Sequence, residues 1–266
     1  MSDLKRGVLG YRIDLENRDE LRNSGYEPTV LLRACKDQLP KRNHIGKAFP
    51  LLKLLNQGNQ GACQGHALAL IFSICFYLMS GRVKNFSRAA AYYLSQKLDG
   101  ISGDHGSTLS AGKKVAASGL CLEEDWPYPL RYDPLRPASA TVDKFVYKLK
   151  TTKAFPKTEA GLQLMMEWLR EGLPVQIGVF WNQSCDREVV TNYTWSNRDG
   201  GHSTVFWLFA NENEVHNNNS WGLWNQDGIH SWTLAAVRQA FFCESNDFIG
   251  YAPDGIEVPD LDPITP

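Results

Sequence analysis

The chain has 266 residues, 43% of them hydrophobic and 21% charged, with a formal net charge of -1. These are the proportions of an ordinary globular protein long enough to bury a large core. A nearly neutral chain offers no basic field for nucleic acid or an anionic membrane, so both partner classes are set aside.

Read in order, the first ten residues hold Lys5 and Arg6 but no apolar segment, which argues against a secretory signal peptide in this sequence. Residues 1–38 are mixed and charged, with Asp14, Glu16, Arg18, Asp19 and Glu20 close together. They are expected to form an extension that packs on the body, as a short pro-segment or a cover over a cleft. Residues 41–50 are expected to be a loop leading into the glycine-punctuated run Asn56-Gln57-Gly58-Asn59-Gln60-Gly61-Ala62-Cys63.

Residues 64–80 are apolar on nearly every face, the pattern of a helix buried at the centre of a lobe. Their longest apolar run, 67–79, is short for a bilayer span. Gly81 is a suitable stop. Ser87 can cap a second helix running through Tyr92, Tyr93 and Leu98, and 109–118 reads as a third, ended by Gly119. Trp126-Pro127-Tyr128-Pro129, with Pro134 and Pro137, marks an irregular connection.

Beyond Thr141 the texture changes. Residues 142–149 alternate loosely, as a half-buried strand would. A helix is expected over 158–172 with Thr158 as its cap, and short strands over 175–180, 204–210, 214–218, 229–232 and 248–251. A small helix fits 233–241. Helices first and strands second indicate an α+β fold, with a helical lobe over about 57–140 and a sheet-rich lobe over about 141–252. Residues 253–266 are rich in Pro and Asp and are expected to be a loose tail.

Cysteines stand at 35, 63, 75, 121, 185 and 243, widely and irregularly spaced, with no CxxC or CxxH pair to hold zinc. If Cys63 is a working thiol, five remain, and five cannot all pair. Reduced thiols in a reducing compartment are therefore expected.

Cys63 opens the apolar helix. The positive end of a helix stabilises a thiolate, although an inert buried cysteine also fits there. His202 follows Gly200 and Gly201, which leave room beside it, and precedes an apolar strand that would mount a base rigidly. The Asn219 side-chain oxygen can orient an imidazole, and Trp221 can shield that hydrogen bond from water. Alternatively, Asn217 to Asn219 is simply a polar turn. Gln57 and the Cys63 backbone N–H could together receive an oxyanion, or Gln57 could be a solvated loop residue. A thiol, an imidazole and an amide in this order compose a nucleophile, a base and an orienter, which require neither metal nor cofactor.

These blocks resemble those of the papain-like (C1) cysteine peptidases, specifically the short bacterial and phage-type members. Gln57-Gly58-Asn59-Gln60-Gly61-Ala62-Cys63 is similar to the family's Gln-Gly-x-x-Gly-Ser-Cys. Gly201-His202-Ser203 is similar to Gly-His-Ala. Asn219-Ser220-Trp221-Gly222, with Trp224 and Asp227-Gly228, is similar to Asn-Ser-Trp-Gly-x-x-Trp-Gly-x-x-Gly. Phe86-Ser87 and Trp126-Pro127-Tyr128 fall where the family places Leu-Ser and Tyr-Pro-Tyr, and residues 10–19 look like a leader of bacterial relatives.

The resemblance implies a papain-like fold over 39–252, with a helical lobe and a sheet or barrel lobe facing each other across a cleft. It implies an endopeptidase that acts on protein or peptide substrates through an acyl-enzyme. Cys63 would be the nucleophile, His202 the base, Asn219 the orienter and Gln57 the oxyanion donor. Gly106, Ser107, Gly201 and Trp221 would line the substrate groove. Ala62 replaces the usual Ser, Gln64 the usual Trp and Gln226 a Gly or Glu, while Gln60 stands where many relatives have a disulfide cysteine. A lapsed peptidase serving as a binding protein, or an acyltransferase with the same groups, remains open. The expected location is the cytoplasm or another reducing compartment, in a bacterium, a phage or a host cell.

Overall fold

The computed structural model describes residues 12, 55–129, 131–132, 142–196, 198–222 and 228–253. The expected extension, Arg12 apart, and the expected tail beyond Pro253 lie outside the described residues.

Among the described residues the first helix, α1 (Cys63–Ser80), is 18 residues long and buried along almost its whole length. By length and composition it could cross a membrane, yet 94% of it is buried inside this fold. Gly81 ends it in the left-handed conformation, φ 67°, with its N–H on the Tyr77 carbonyl. Helix α2 (Arg88–Leu98) starts at Ser87, whose hydroxyl accepts from the Ala90 N–H. Helix α3 (Leu109–Ser118) is capped in the same way by Thr108. The backbones of α1 and α2 meet at Gly65, where a Cβ would come within 2.7 Å of the Tyr92 backbone nitrogen. Only glycine permits that approach.

The second half supplies one seven-stranded sheet and two more helices. In chain order these are β1 (Thr152–Ala154), α4 (Glu159–Arg170), β2 (Val175–Trp181), β3 (Val189–Val190), β4 (Gly200–Asn211), β5 (Glu214–Asn218), β6 (Ile229–Thr233), α5 (Leu234–Phe241) and β7 (Asp247–Tyr251). The strand order is β1-β7-β2-β4-β5-β6-β3. All neighbours are antiparallel except β3 and β6. Helix α1 packs against β2 and β4, so a single apolar core runs from the helices into the sheet. The architecture is α+β, with helices preceding the sheet as expected.

Three expectations change. Residues 142–149 are not a strand: Val142–Lys144 form a 3-10 turn, and Tyr147 makes an isolated bridge with Leu120. The Tyr147 ring packs edge-on against Phe86 and Phe76, which draws this segment toward the helices and away from the sheet. Strands β1 and β3, of three and two residues, are additional. Finally, β4 begins at Gly200, so His202 lies within the strand instead of before it.

Candidate active site

Cys63 is the first residue of α1. Ala62, at the N-cap, supplies no capping side chain, and no acidic residue sits in the first turn. The positive end of the helix is therefore not offset at the thiol. The preceding loop is pinned on several sides. Gly61 donates its N–H to Asp104 Oδ1 at 2.8 Å, and the Tyr92 hydroxyl donates to the same oxygen at 2.6 Å. The His66 ring faces two carbonyls, with Nδ1 3.0 Å from Ala62 O and Nε2 3.2 Å from Asn56 O. Tyr128 donates its hydroxyl to the Gln57 carbonyl.

His202 sits on β4 between β2 and β5. Its Nε2 lies 2.8 Å from Asn219 Oδ1. The Ser220 backbone N–H donates to the same oxygen at 2.7 Å, which identifies that atom as the acceptor. Nε2 must then carry the proton, so in the neutral ring Nδ1 holds a lone pair. Nδ1 is buried and has no hydrogen-bond partner. Burial pulls the imidazole pKa down from 6.5 to about 4, against the opposing hydrogen bond to Asn219. Trp221 stacks on the ring at 4.6 Å and Trp181 meets it edge-on at 4.7 Å, so indoles shield the His202–Asn219 contact.

The two walls are joined by backbone. Gln57 N–H donates to the Ser220 carbonyl at 2.7 Å, Gly222 N–H donates to the Leu55 carbonyl at 2.7 Å, and Asn56 bridges Trp221. The segment before Cys63 thus lies antiparallel to the segment after Asn219. Ser220 Oγ donates to Gln57 Oε1, and Gln57 Nε2 donates to the Gln60 carbonyl, so the Gln57 amide has one fixed orientation. No hydrogen bond links His202 Nδ1 to the Cys63 sulfur. Cys63 and His202 are both fully buried.

Of the residues expected along a groove, Gly106 is buried with φ 78°, and its N–H donates to the Tyr92 hydroxyl at 3.4 Å. Ser107 turns its hydroxyl onto Gln64 Oε1 at 2.8 Å, so only its backbone can face a groove. Its carbonyl accepts from the Arg12 N–H at 3.1 Å. Gly201 is half-buried opposite Phe180. None of the five described cysteines is in a disulfide, and Cys35 lies outside the described residues. Among the described residues, no group of three His, Cys, Asp and Glu side chains is placed to hold a metal ion.

The sequence did not single out His66, Asp104, Trp181 or His230. A polar residue in an otherwise apolar helix was the available signal for His66. Asp104 and Trp181 stand in contexts that look ordinary until the chain is folded.

No protein-family model matches the sequence, and no curated protein matches it. Solved structures do resemble the fold. Xylellain, a cysteine protease from Xylella fastidiosa, superposes with a TM-score of 0.67 at 21% identity, over 95% of this chain and 98% of that one. Procathepsin B S9 from Trypanosoma congolense gives 0.57 at 16% identity, over 92% and 83%. The Carica candamarcensis cysteine protease CMS1MS2, solved with E-64, gives 0.56 at 18% identity, over 75% and 92%. The chain therefore has the fold of the papain-like cysteine proteases.

Proposed function

We propose that this chain is a cysteine endopeptidase. One observation carries the reading: a buried imidazole whose Nε2–H is committed to Asn219, leaving Nδ1 as an unengaged lone pair on the strand against which the Cys63 helix packs. In the reaction, Nδ1 takes the Cys63 thiol proton as sulfur attacks the peptide carbonyl carbon. The oxyanion forms against the Cys63 N–H and the Gln57 amide. Collapse expels the amine, which leaves with the proton from Nδ1, and the acyl group remains as a thioester. Water, losing a proton to Nδ1, then attacks the thioester, and the released sulfur recovers its proton. Hydrogen bonds between catalytic groups are often long before substrate is present and tighten in the complex, so a Cys63–His202 contact is expected to close on binding.

Cys63→Ala tests this. Hydrolysis of a peptide substrate should vanish while circular dichroism and thermal unfolding stay unchanged. Turnover at the parent rate would end the assignment. Ligation of an added amine in place of hydrolysis would identify acyl transfer.

A second observation bears on control. Cys63 and His202 are fully buried, and the Arg12 N–H occupies the Ser107 carbonyl beside Gly106. Both favour residues 1–38 as a cover over the groove. Deleting them should raise turnover severalfold; an unchanged rate in a folded body would reject this role.

A further inference from the structure

Strand β2 reads Val-Gln-Ile-Gly-Val-Phe-Trp, and every residue in it is buried. The single amide in that run, Gln176, is fully buried and uses both ends of its side chain. Nε2 donates to the Gln64 carbonyl and to Ser203 Oγ, each at 3.2 Å, while Oε1 accepts from the Tyr251 hydroxyl at 3.1 Å. Gln64 follows Cys63, and Ser203 follows His202. One amide therefore touches both the first turn of α1 and the strand that carries the imidazole.

An apolar side chain of this size would fill the same space without needing partners, and core strands usually take one. The amide has what an aliphatic group lacks: two fixed donor directions, one to each wall. A buried amide with three partners holds its orientation, because breaking any of them strands a polar atom away from water. The start of α1 is thus keyed to β4 one residue away from each candidate reacting group.

We propose that Gln176 is a positioning residue that sets the separation between the Cys63 sulfur and His202 Nδ1. Its catalytic consequence rests on the peptidase reading above; its geometric consequence does not. The two donors matter, while the acceptor serves to hold the amide still.

The test compares Gln176→Met with Tyr251→Phe in the full-length chain. The first variant conserves volume but removes both donors. The second removes one hydrogen bond to the same amide but leaves both donors. The readouts are kcat and KM on a peptide substrate, the pH profile of Cys63 alkylation by iodoacetamide, and Tm. Gln176→Met should lower kcat by about 10- to 100-fold, as loss of a group that orients a reacting side chain typically does, with KM changed less than threefold. Its alkylation midpoint should move up toward the pH of about 8.5 at which an ordinary thiol titrates. Tyr251→Phe should lower Tm comparably yet keep kcat within about threefold.

Equal losses of kcat in the two variants would reduce Gln176 to a structural group, and a folded Gln176→Met with the parent kcat and alkylation profile would overturn the proposal. If Gln176→Met fails to fold, Ser203→Ala, which deletes one acceptor, should shift the profile in the same direction by a smaller amount; no shift would count against the proposal. If the parent chain cleaves no peptide while the alkylation profile moves as stated, the peptidase reading falls and the positioning role stands.

Discussion

Two histidine–asparagine pairs lie side by side in the sheet, and they differ in which ring nitrogens are engaged. His202 Nε2 stands 2.8 Å from Asn219 on the β4–β5 side, and His230 Nε2 stands 2.8 Å from the Asn217 side-chain amide on the β5–β6 side. Both rings are buried, and burial depresses both pKa values, to about 4 and about 3. The other contacts separate them. His230 Nδ1 faces the Arg187 carbonyl, its Nε2 receives the Trp232 indole N–H, and Asn217 is itself tied to Thr204. Both nitrogens of His230 are committed. His202 keeps one nitrogen without a partner, on the strand that faces the helix of Cys63. Chemistry in a buried imidazole follows the uncommitted lone pair, and an asparagine beside the ring does not identify it.

The largest expected contrast comes from exchanging the rings for amides. His202→Gln should lower kcat by about 10²- to 10⁴-fold, the range assigned to general acid–base catalysis, with little change in Tm. His230→Gln should do the reverse, costing about 1–3 kcal/mol of stability through stranded polar groups while kcat stays near the parent value. Peptide kinetics and thermal melts on the two variants decide this, and a collapse of kcat in folded His230→Gln would erase the distinction. A smaller effect is expected at the orienting amide. Asn219→Ala should lower kcat by about 10- to 100-fold, because Nε2–H loses its acceptor and the ring its fixed tautomer.

The weakest separation is in pH. His66, His202 and His230 all have folded pKa values below the ordinary 6.5, at about 3, 4 and 3. Unfolding lets each ring bind a proton, so their contribution is full above pH 6.5 and is lost progressively as the pH falls toward 3. Denaturant melts between pH 7 and 4 should show stability declining, on the order of several kcal/mol in sum. His230→Gln should flatten that slope as much as His202→Gln does, since linkage does not sense which lone pair is exposed. Stability independent of pH over this range would remove the buried neutral histidines from the account.

Much of this was legible in the sequence where local rules operate. Ser87 and Thr158 sit at helix N-caps, Gly81 and Gly119 terminate helices, and β5 spans the residues that its pattern indicates. The order of Cys63, His202 and Asn219 marks the candidate site because each stands in a short motif. Residues 142–149 are ambiguous in sequence, because alternating aromatics look the same whether they meet a sheet or a helix. Strands β1 and β3 are too short to show a period. Gln176, His230 and Asp104 carry no local signal, because their roles depend on partners far along the chain. Gln176 reaches Gln64 across a separation of 112 residues, and Asp104 reaches Gly61 across 43. No window of sequence contains both ends of such a contact.

The most direct test treats the folded chain with a thiol-directed epoxide and maps the adduct by intact mass and peptide analysis. The account predicts one adduct per chain, at Cys63, because His202 activates that thiol, whereas burial raises the thiol pKa of Cys121 and Cys185 to about 11 and 12. His202→Ala should suppress that adduct. Labelling of Cys63 that proceeds equally well without His202, or no labelling of Cys63 even after residues 1–38 are removed, would contradict a thiol activated by this imidazole.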